Sequence, residues 1–102
     1  MKAITFHGIE ELAFEDVSDP ELVAASDVIL RVTATGICGS DLHPYFGREV
    51  GLDVGTVMGH EPLGEVIEVG SEVRAHEVGA KVVTPFTTNC GDCFYCDTGL
   101  TA

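Results

Sequence analysis

The chain has 102 residues, 45% of them hydrophobic, and 17 acidic residues against five basic ones give a formal net charge of −12. This length predicts one small domain, and the charge argues against nucleic acid or an anionic membrane as a partner. A solvated acidic surface explains the charge most simply, and adaptation to high salt is the alternative. No apolar run approaches the roughly 20 residues that span a bilayer. The first eight residues lack the apolar segment of a signal peptide, so we expect a cytoplasmic protein.

Short strands separated by turn signals dominate the chain. In order, the predicted strands cover residues 1–6, 11–17 and 27–34, the alternating segment between Gly64 and Gly70, and residues 81–86. Residues 37–43 predict a loop that enters a short helical turn, which Ser40 or Asp41 could cap. The segments 18–26, 44–56, 71–79 and 89–99 are predicted as turns and loops. Many short strands with little helix indicate a mainly β fold, either a small barrel or a sandwich.

The segment 57–70 carries a Gly-His-Glu triplet, residues 59–61, at the entrance to the central strand. His60 offers a neutral imidazole and Glu61 a carboxylate, so the pair can bind a metal ion. Cys38, 22 residues earlier, offers a thiolate, and a thiolate with an imidazole forms part of many catalytic zinc sites. Taken singly, a cysteine is more often a small core residue, and a His-Glu pair is more often a surface pair. A shared zinc therefore requires the fold to bring Cys38 and His60 together.

A second cluster, Cys90, Cys93 and Cys96, has the spacing C-x2-C-x2-C. In a chain without a secretion signal this regular spacing favours metal binding over disulfides. Bacterial ferredoxins share this spacing but continue x3-C-P, whereas Leu100 stands at that fourth position here. The sequence therefore favours zinc over an iron–sulfur cluster, and a closed structural zinc site needs a fourth ligand.

Gly59-His60-Glu61, with Gly64, Gly70 and Val73, resembles the zinc signature of the medium-chain alcohol dehydrogenases. Residues 36–43, Gly-Ile-Cys-Gly-Ser-Asp-Leu-His, resemble the first zinc-ligand segment of that family. Residues 84–87, which lead into the cysteine cluster, are most similar to the formaldehyde dehydrogenase-like branch. The resemblance implies that residues 1–102 form the family's GroES-like catalytic β-barrel, truncated before the nucleotide-binding (Rossmann) domain.

The resemblance also implies roles around the catalytic zinc. Cys38 and His60 would bind the ion, and Glu61 would lie close behind it as a transient ligand. Asp41 would accept a hydrogen bond from the other ring nitrogen of His60 and so fix its tautomer. Zinc would then act as a Lewis acid on the oxygen of a small alcohol or aldehyde.

Proton and hydride transfer complete the implied chemistry. Ser40 would contact the substrate oxygen and pass its proton to His43, whose imidazole can deliver it to water. Gly39, Ser40 and His43 would also border the cofactor, and Gly39 stands where relatives often carry a basic residue against the pyrophosphate. The hydride would go to NAD or NADP.

Several parts of such an enzyme are absent from these 102 residues. There is no Gly-x-Gly-x-x-Gly segment and no strand–helix alternation. In the family, the fourth structural cysteine comes eight positions after the third, which would be two positions beyond Ala102. We therefore expect a fragment of a longer enzyme, inactive alone, that works with a carboxy-terminal nucleotide-binding domain and forms a homo-oligomer.

Two other classes of function remain open at this level. A non-catalytic β-barrel module similar to the GroES co-chaperonin would account for the strands but not for Cys38, His60 and the three clustered thiols. A metal-binding or redox-sensing module would use the thiols alone. The metal content of the protein distinguishes these two classes from the enzyme.

Overall fold

A computed structural model describes residues 1–101 and is mainly β, as the sequence predicts. Five strands form two antiparallel sheets, and the helical segments are each only three or four residues long. The strands are β1 (Lys2–Gly8), β2 (Glu11–Asp16), β3 (Val28–Thr35), β4 (Pro62–Val69) and β5 (Lys81–Val83). A 3-10 turn (Gly39–Asp41) leads into α1 (Leu42–Tyr45), and α2 is Phe94–Asp97.

The two sheets have simple neighbour relations. β1 and β2 form a hairpin, with Ala3 opposite Glu15 and Thr5 opposite Ala13. The second sheet has the order β3-β4-β5, so β4 is its central strand. β4 buries Val66 completely, whereas Ile67 beside it is 39% exposed. Its period-2 pattern is therefore that of a strand with one covered face.

The segment 54–58 connects the two sheets and delivers the chain to His60. Its backbone runs beside β1, where Phe6 N donates to Thr56 O at 2.9 Å and Met58 N donates to Ile4 O at 2.8 Å. A β-bridge pairs Thr5 with Val57. Between the sheets lies an open, mostly apolar cleft of about 770 Å³, lined by both of them. The residues that precede the Gly-His-Glu triplet are thus fixed against the hairpin.

Two local predictions differ from the structure. β5 ends at Val83 and does not continue to Phe86, because Thr84 N makes a last bond to Pro62 O at 3.0 Å and Pro85 has no N–H to extend the ladder. The segment 89–99, predicted as a loop, contains the single helical turn α2. Such a short helix has no amphipathic repeat by which a sequence pattern could reveal it.

Residues 1–101 contain no parallel sheet and no alternation of strands with long helices. The described part of the chain therefore holds no dinucleotide-binding (Rossmann) fold, as the sequence predicts. Within the same residues, no helix has the length and apolar character needed to traverse a lipid bilayer.

Candidate metal centre

The loop after β3 places Cys38 at the start of the 3-10 turn. The Cys38 thiol accepts a hydrogen bond from Ser40 N at 3.3 Å, and Asp41 Oδ2 accepts one from Cys38 N at 2.9 Å. These two bonds form a capping box in which a sulfur replaces the usual hydroxyl. Asp41, one of the two residues predicted to cap the helical turn, is the N-cap residue of α1 but makes no side-chain cap bond there. The 3-10 turn is capped by Cys38, with Asp41 as its reciprocal partner.

His60 is fixed through its backbone on both sides. Gly59 precedes it with φ of 104°, a backbone angle that glycine adopts readily and that residues with a Cβ rarely adopt. The Thr84 hydroxyl donates to His60 O at 3.2 Å, and Gly36 N donates to Glu61 O at 3.1 Å. The His-Glu dipeptide is thereby tied to the segment after β5 and to the end of β3.

These loops bring three of the predicted residues together. Cys38 Sγ lies 3.1 Å from His60 Nε2, and Asp41 Oδ1 lies 3.1 Å from His60 Nδ1. Ligand atoms of Cys38, Asp41 and His60 all fall within 4.8 Å of one another. Glu61 is the next neighbour, with Oε1 at 4.0 Å from His60 Nε2. The imidazole thus has Asp41 at one nitrogen and Cys38 at the other.

The pKa values of Cys38 and His60 are shifted in opposite directions by the contacts within this group. The pKa of Cys38 is lowered, chiefly by hydrogen bonds from the backbone and side chain of Ser40 and further by His60. The pKa of His60 is raised, first by its hydrogen bond with Cys38 and then by the charges of Asp41, Cys38 and Glu61, although desolvation opposes the shift. A thiolate is the form of cysteine that binds a metal.

The chemistry of the donors fits zinc. Thiolate sulfur and imidazole nitrogen are its common ligands, and two ligand atoms on one tetrahedral zinc lie about 3.5 Å apart. The 3.1 Å between Cys38 Sγ and His60 Nε2 is therefore within a few tenths of an ångström of a shared site. The side chain of His60 is 29% exposed and that of Asp41 is 15% exposed, so an ion could reach the group.

The residues predicted for the relay and the cofactor lie on the same loop with fewer contacts. Ser40 is half-buried in the 3-10 turn, directly beside Cys38, and Gly39 is exposed. His43 is exposed on α1. No hydrogen bond joins the Ser40 and His43 side chains in the part of the chain that the structure describes.

The second cluster is a group of three thiols around α2. Cys96 Sγ lies 3.8 Å from Cys90 Sγ and 3.6 Å from Cys93 Sγ, and all three sulfurs fall within 4.8 Å of one another. The pKa of Cys93 is lowered to about 7, mainly by the backbone N–H of Cys96 and then by the thiols of Cys90 and Cys96. The sulfurs of this loop converge as a shared metal ion would require.

Sequence reasoning missed three neighbours of His60. Thr84 and Gly36 hold its backbone and that of Glu61, and the Phe86 ring packs edge-on against the His60 ring at 5.5 Å between centroids. In the sequence, Thr84 and Phe86 are assigned only to the predicted strand 81–86 and to the segment that supports the family resemblance. Their nearness to His60 has no signal in spacing or periodicity, because it arises from the pairing of β4 with β5.

Comparison with known proteins places this geometry in a family. The model of the alcohol dehydrogenase GroES-like domain matches residues 24–102. Zinc-type alcohol dehydrogenase B of Aspergillus flavus is 45% identical over 102 residues, which are 100% of this chain and 24% of that protein. Formaldehyde dismutase of Pseudomonas putida is 42% identical over 100 residues, covering 93% of this chain and 25% of that protein.

A solved structure agrees with these relatives. Alcohol dehydrogenase TADH from Thermus sp. ATN1 superimposes with a TM-score of 0.88 and 40% identity, over 99% of this chain and 29% of that one. The chain spans about a quarter of the length of the curated relatives described above. With a family model that matches most of its residues, the chain belongs to the alcohol dehydrogenase GroES-like domain family of the zinc-type medium-chain dehydrogenases.

Proposed function

We propose that residues 1–102 are the amino-terminal catalytic domain of a zinc-dependent, NAD(P)-linked alcohol or aldehyde oxidoreductase. The observation that carries the proposal is the convergence of Cys38 Sγ, His60 Nε2 and His60 Nδ1 with the Asp41 carboxylate within one small group. The family membership supports the reaction class. The relatives are about four times longer than this chain, so its activity is proposed for a longer polypeptide that also carries the nucleotide-binding domain.

Cys38 and His60 would hold the catalytic zinc, with Glu61 close enough to join them. When bound, zinc supplies a Lewis acid that polarises the substrate oxygen and lowers the pKa of a bound hydroxyl. Asp41, 3.1 Å from Nδ1, would keep the proton on that nitrogen and leave Nε2 free to bind. A catalytic zinc site has three protein ligands, and we expect the third to come from outside residues 1–102, since the relatives are about four times longer.

Ser40 and His43 would move the proton of the substrate. Ser40 lies next to Cys38, so its hydroxyl can reach an oxygen held beside the Cys38 sulfur. His43 is exposed on α1, three residues further on, where it can exchange a proton with water. Because no hydrogen bond joins the two side chains in the described residues, the relay needs a bridging water or the substrate itself. Gly39, Ser40 and His43 would border the nicotinamide cofactor.

Cys90, Cys93 and Cys96 would hold a structural zinc together with a fourth ligand outside these residues. A tri-thiolate alone binds zinc less tightly than a closed four-ligand site. We therefore expect partial occupancy in the 102-residue chain. We also expect the complete enzyme to be a homo-oligomer that acts on a small alcohol or aldehyde, with NAD or NADP as the oxidant.

A zinc titration followed at the histidine rings tests the catalytic site. In 15N-histidine-labelled chain, zinc should shift the Nε2 signal of His60, and the shift should be lost in Cys38→Ser. His76→Gln is a matched control, since His76 lies on the exposed loop before β5, and it should leave the His60 response unchanged. The zinc-loaded chain should show no turnover with NAD and simple alcohols, because it lacks a cofactor domain.

Two results would overturn the proposal. If the His60 signals do not respond to millimolar zinc, the site is not a metal centre, and a non-catalytic GroES-like module becomes the better explanation. If the 102-residue chain alone oxidises alcohols with NAD, the proposal that activity requires a separate nucleotide-binding domain is wrong.

A further inference from the structure

Gly36 follows β3 directly and faces the side chain of Glu61. A Cβ built at position 36 would lie 2.8 Å from Glu61 Oε2 and 3.6 Å from Glu61 Cβ. Real Cβ atoms essentially never approach another heavy atom within 3.0 Å. Gly36 is not among the glycines with positive φ, so the backbone at this position would accept alanine. The requirement for glycine here is therefore one of space beside a carboxylate.

A backbone hydrogen bond keeps Glu61 next to Gly36. Gly36 N donates to Glu61 O at 3.1 Å, so the two residues cannot separate without losing that bond. Relief of a contact at position 36 would fall on the flexible Glu61 side chain, whose far end makes the contact. That carboxylate has its other oxygen, Oε1, 4.0 Å from His60 Nε2. Nε2 is the ring nitrogen that faces Cys38 Sγ.

We propose that Gly36 is a positioning residue that gives the Glu61 carboxylate its place beside the zinc-binding pair Cys38 and His60. A methyl group at position 36 would lie only 2.8 Å from Oε2, so the carboxylate would have to move away from its place beside Cys38 and His60. The proposal rests on the zinc site proposed above. In this proposal, the absence of a side chain at position 36 is what allows Glu61 to take part in metal binding.

The test is a double-mutant cycle between positions 36 and 61. Zinc affinity is measured in the 102-residue chain from the 15N imidazole signals of His60, which do not report on the thiol cluster. Loss of a group that supports a metal site typically costs 10- to 100-fold in affinity, so Glu61→Ala should weaken zinc binding about tenfold. Gly36→Ala should weaken it by a similar factor. The double variant should bind as Glu61→Ala does, because no carboxylate remains to be displaced.

Gly8→Ala is the matched control. A Cβ at Gly8 would also meet a glutamate carboxylate, but at 3.6 Å from Glu11 Oε2, an ordinary contact, and Gly8 has no positive φ. This variant should leave the His60 titration unchanged. If Gly36→Ala does not fold but the double variant does, the clash with Glu61 is shown directly, and the proposal stands.

Other outcomes overturn it. Additive losses in the double variant would mean that Gly36 acts on the loop and not through Glu61. No loss in Gly36→Ala, or failure of both Gly36 variants to fold, would also refute the role. These results differ from a failure of the zinc site itself, in which the unsubstituted chain would show no zinc response at His60.

Discussion

Asp41 Oδ1 lies 3.1 Å from His60 Nδ1, while the other oxygen of the same carboxylate accepts the N–H of Cys38 at 2.9 Å. One side chain thus orients the imidazole and closes the turn that presents the thiol. The two ligands of the proposed zinc site are 22 residues apart, and Asp41 contacts both residues. The geometry of the site therefore depends on a residue that need not touch the metal.

Asp41→Asn should weaken zinc binding roughly 10- to 100-fold, the usual range for groups that orient metal ligands. An amide has one acceptor oxygen, so it cannot serve both Cys38 N and His60 Nδ1–H. The zinc titration at the His60 ring measures the effect. Asp53→Asn, on the exposed loop before the triplet, is the control. Equal zinc affinities for the two variants would show that Asp41 does not support zinc binding.

Thr84→Val should lower the free energy of unfolding by about 1 kcal/mol, the net contribution of a typical hydrogen bond. Valine keeps the shape but leaves His60 O without the hydroxyl that lies 3.2 Å away. Urea unfolding followed by circular dichroism gives the change. Thr88→Val, on the exposed segment before the cysteine cluster, should have little effect. If the two variants are equally stable, Thr84 does not secure the His60 backbone.

The hairpin should contribute stability that is lost in acid. Glu15 accepts hydrogen bonds from the buried Thr5 hydroxyl and, at 2.7 Å, contacts His7 Nε2. The Thr5 bond is the main reason that the pKa of Glu15 is lowered from its ordinary value of 4.5, and His7 lowers it further. A folded pKa below the unfolded one means stability that is present above about pH 4.5 and lost as the pH falls below it.

Unfolding measured from pH 7 to pH 3 tests this dependence. Glu15→Gln should flatten the curve below pH 4.5, because the amide has no proton to gain. Glu10→Gln changes an exposed acid at the tip of the same hairpin and should leave the slope unchanged. Identical slopes in Glu15→Gln and the unsubstituted chain would show that this carboxylate is not linked to folding.

Cys93 should be the most readily alkylated thiol of the second cluster in zinc-free protein at pH 7. With its pKa at about 7, about half of its thiol is ionised, compared with ~1% at the ordinary value of 9.0. Brief iodoacetamide treatment followed by peptide mass spectrometry measures the order. Zinc added beforehand should protect all three thiols. Preferential labelling of Cys90, whose pKa is raised, would contradict the expectation.

The sequence predicts the strands well because β3 and β4 are rich in β-branched residues and are bounded by turn signals. It predicts less where tertiary contacts intervene. β5 is shorter than predicted, and α2 is too short to show a period. The pairing of Cys38 with His60 is suggested by residue type and by family resemblance. The contacts of Thr84, Phe86 and Gly36 with the triplet emerge only when β3, β4 and the segment after β5 are assembled.

The reciprocal bonds between Cys38 and Asp41 also link the order of a surface turn to metal occupancy. Whatever ion holds the sulfur and the imidazole also favours the closed form of that turn, since binding to one state draws the population toward it. Amide hydrogens of Ser40 and Asp41 should therefore exchange with solvent more slowly when zinc is present. A chelator should therefore speed amide exchange in this turn while leaving exchange in the two sheets unchanged.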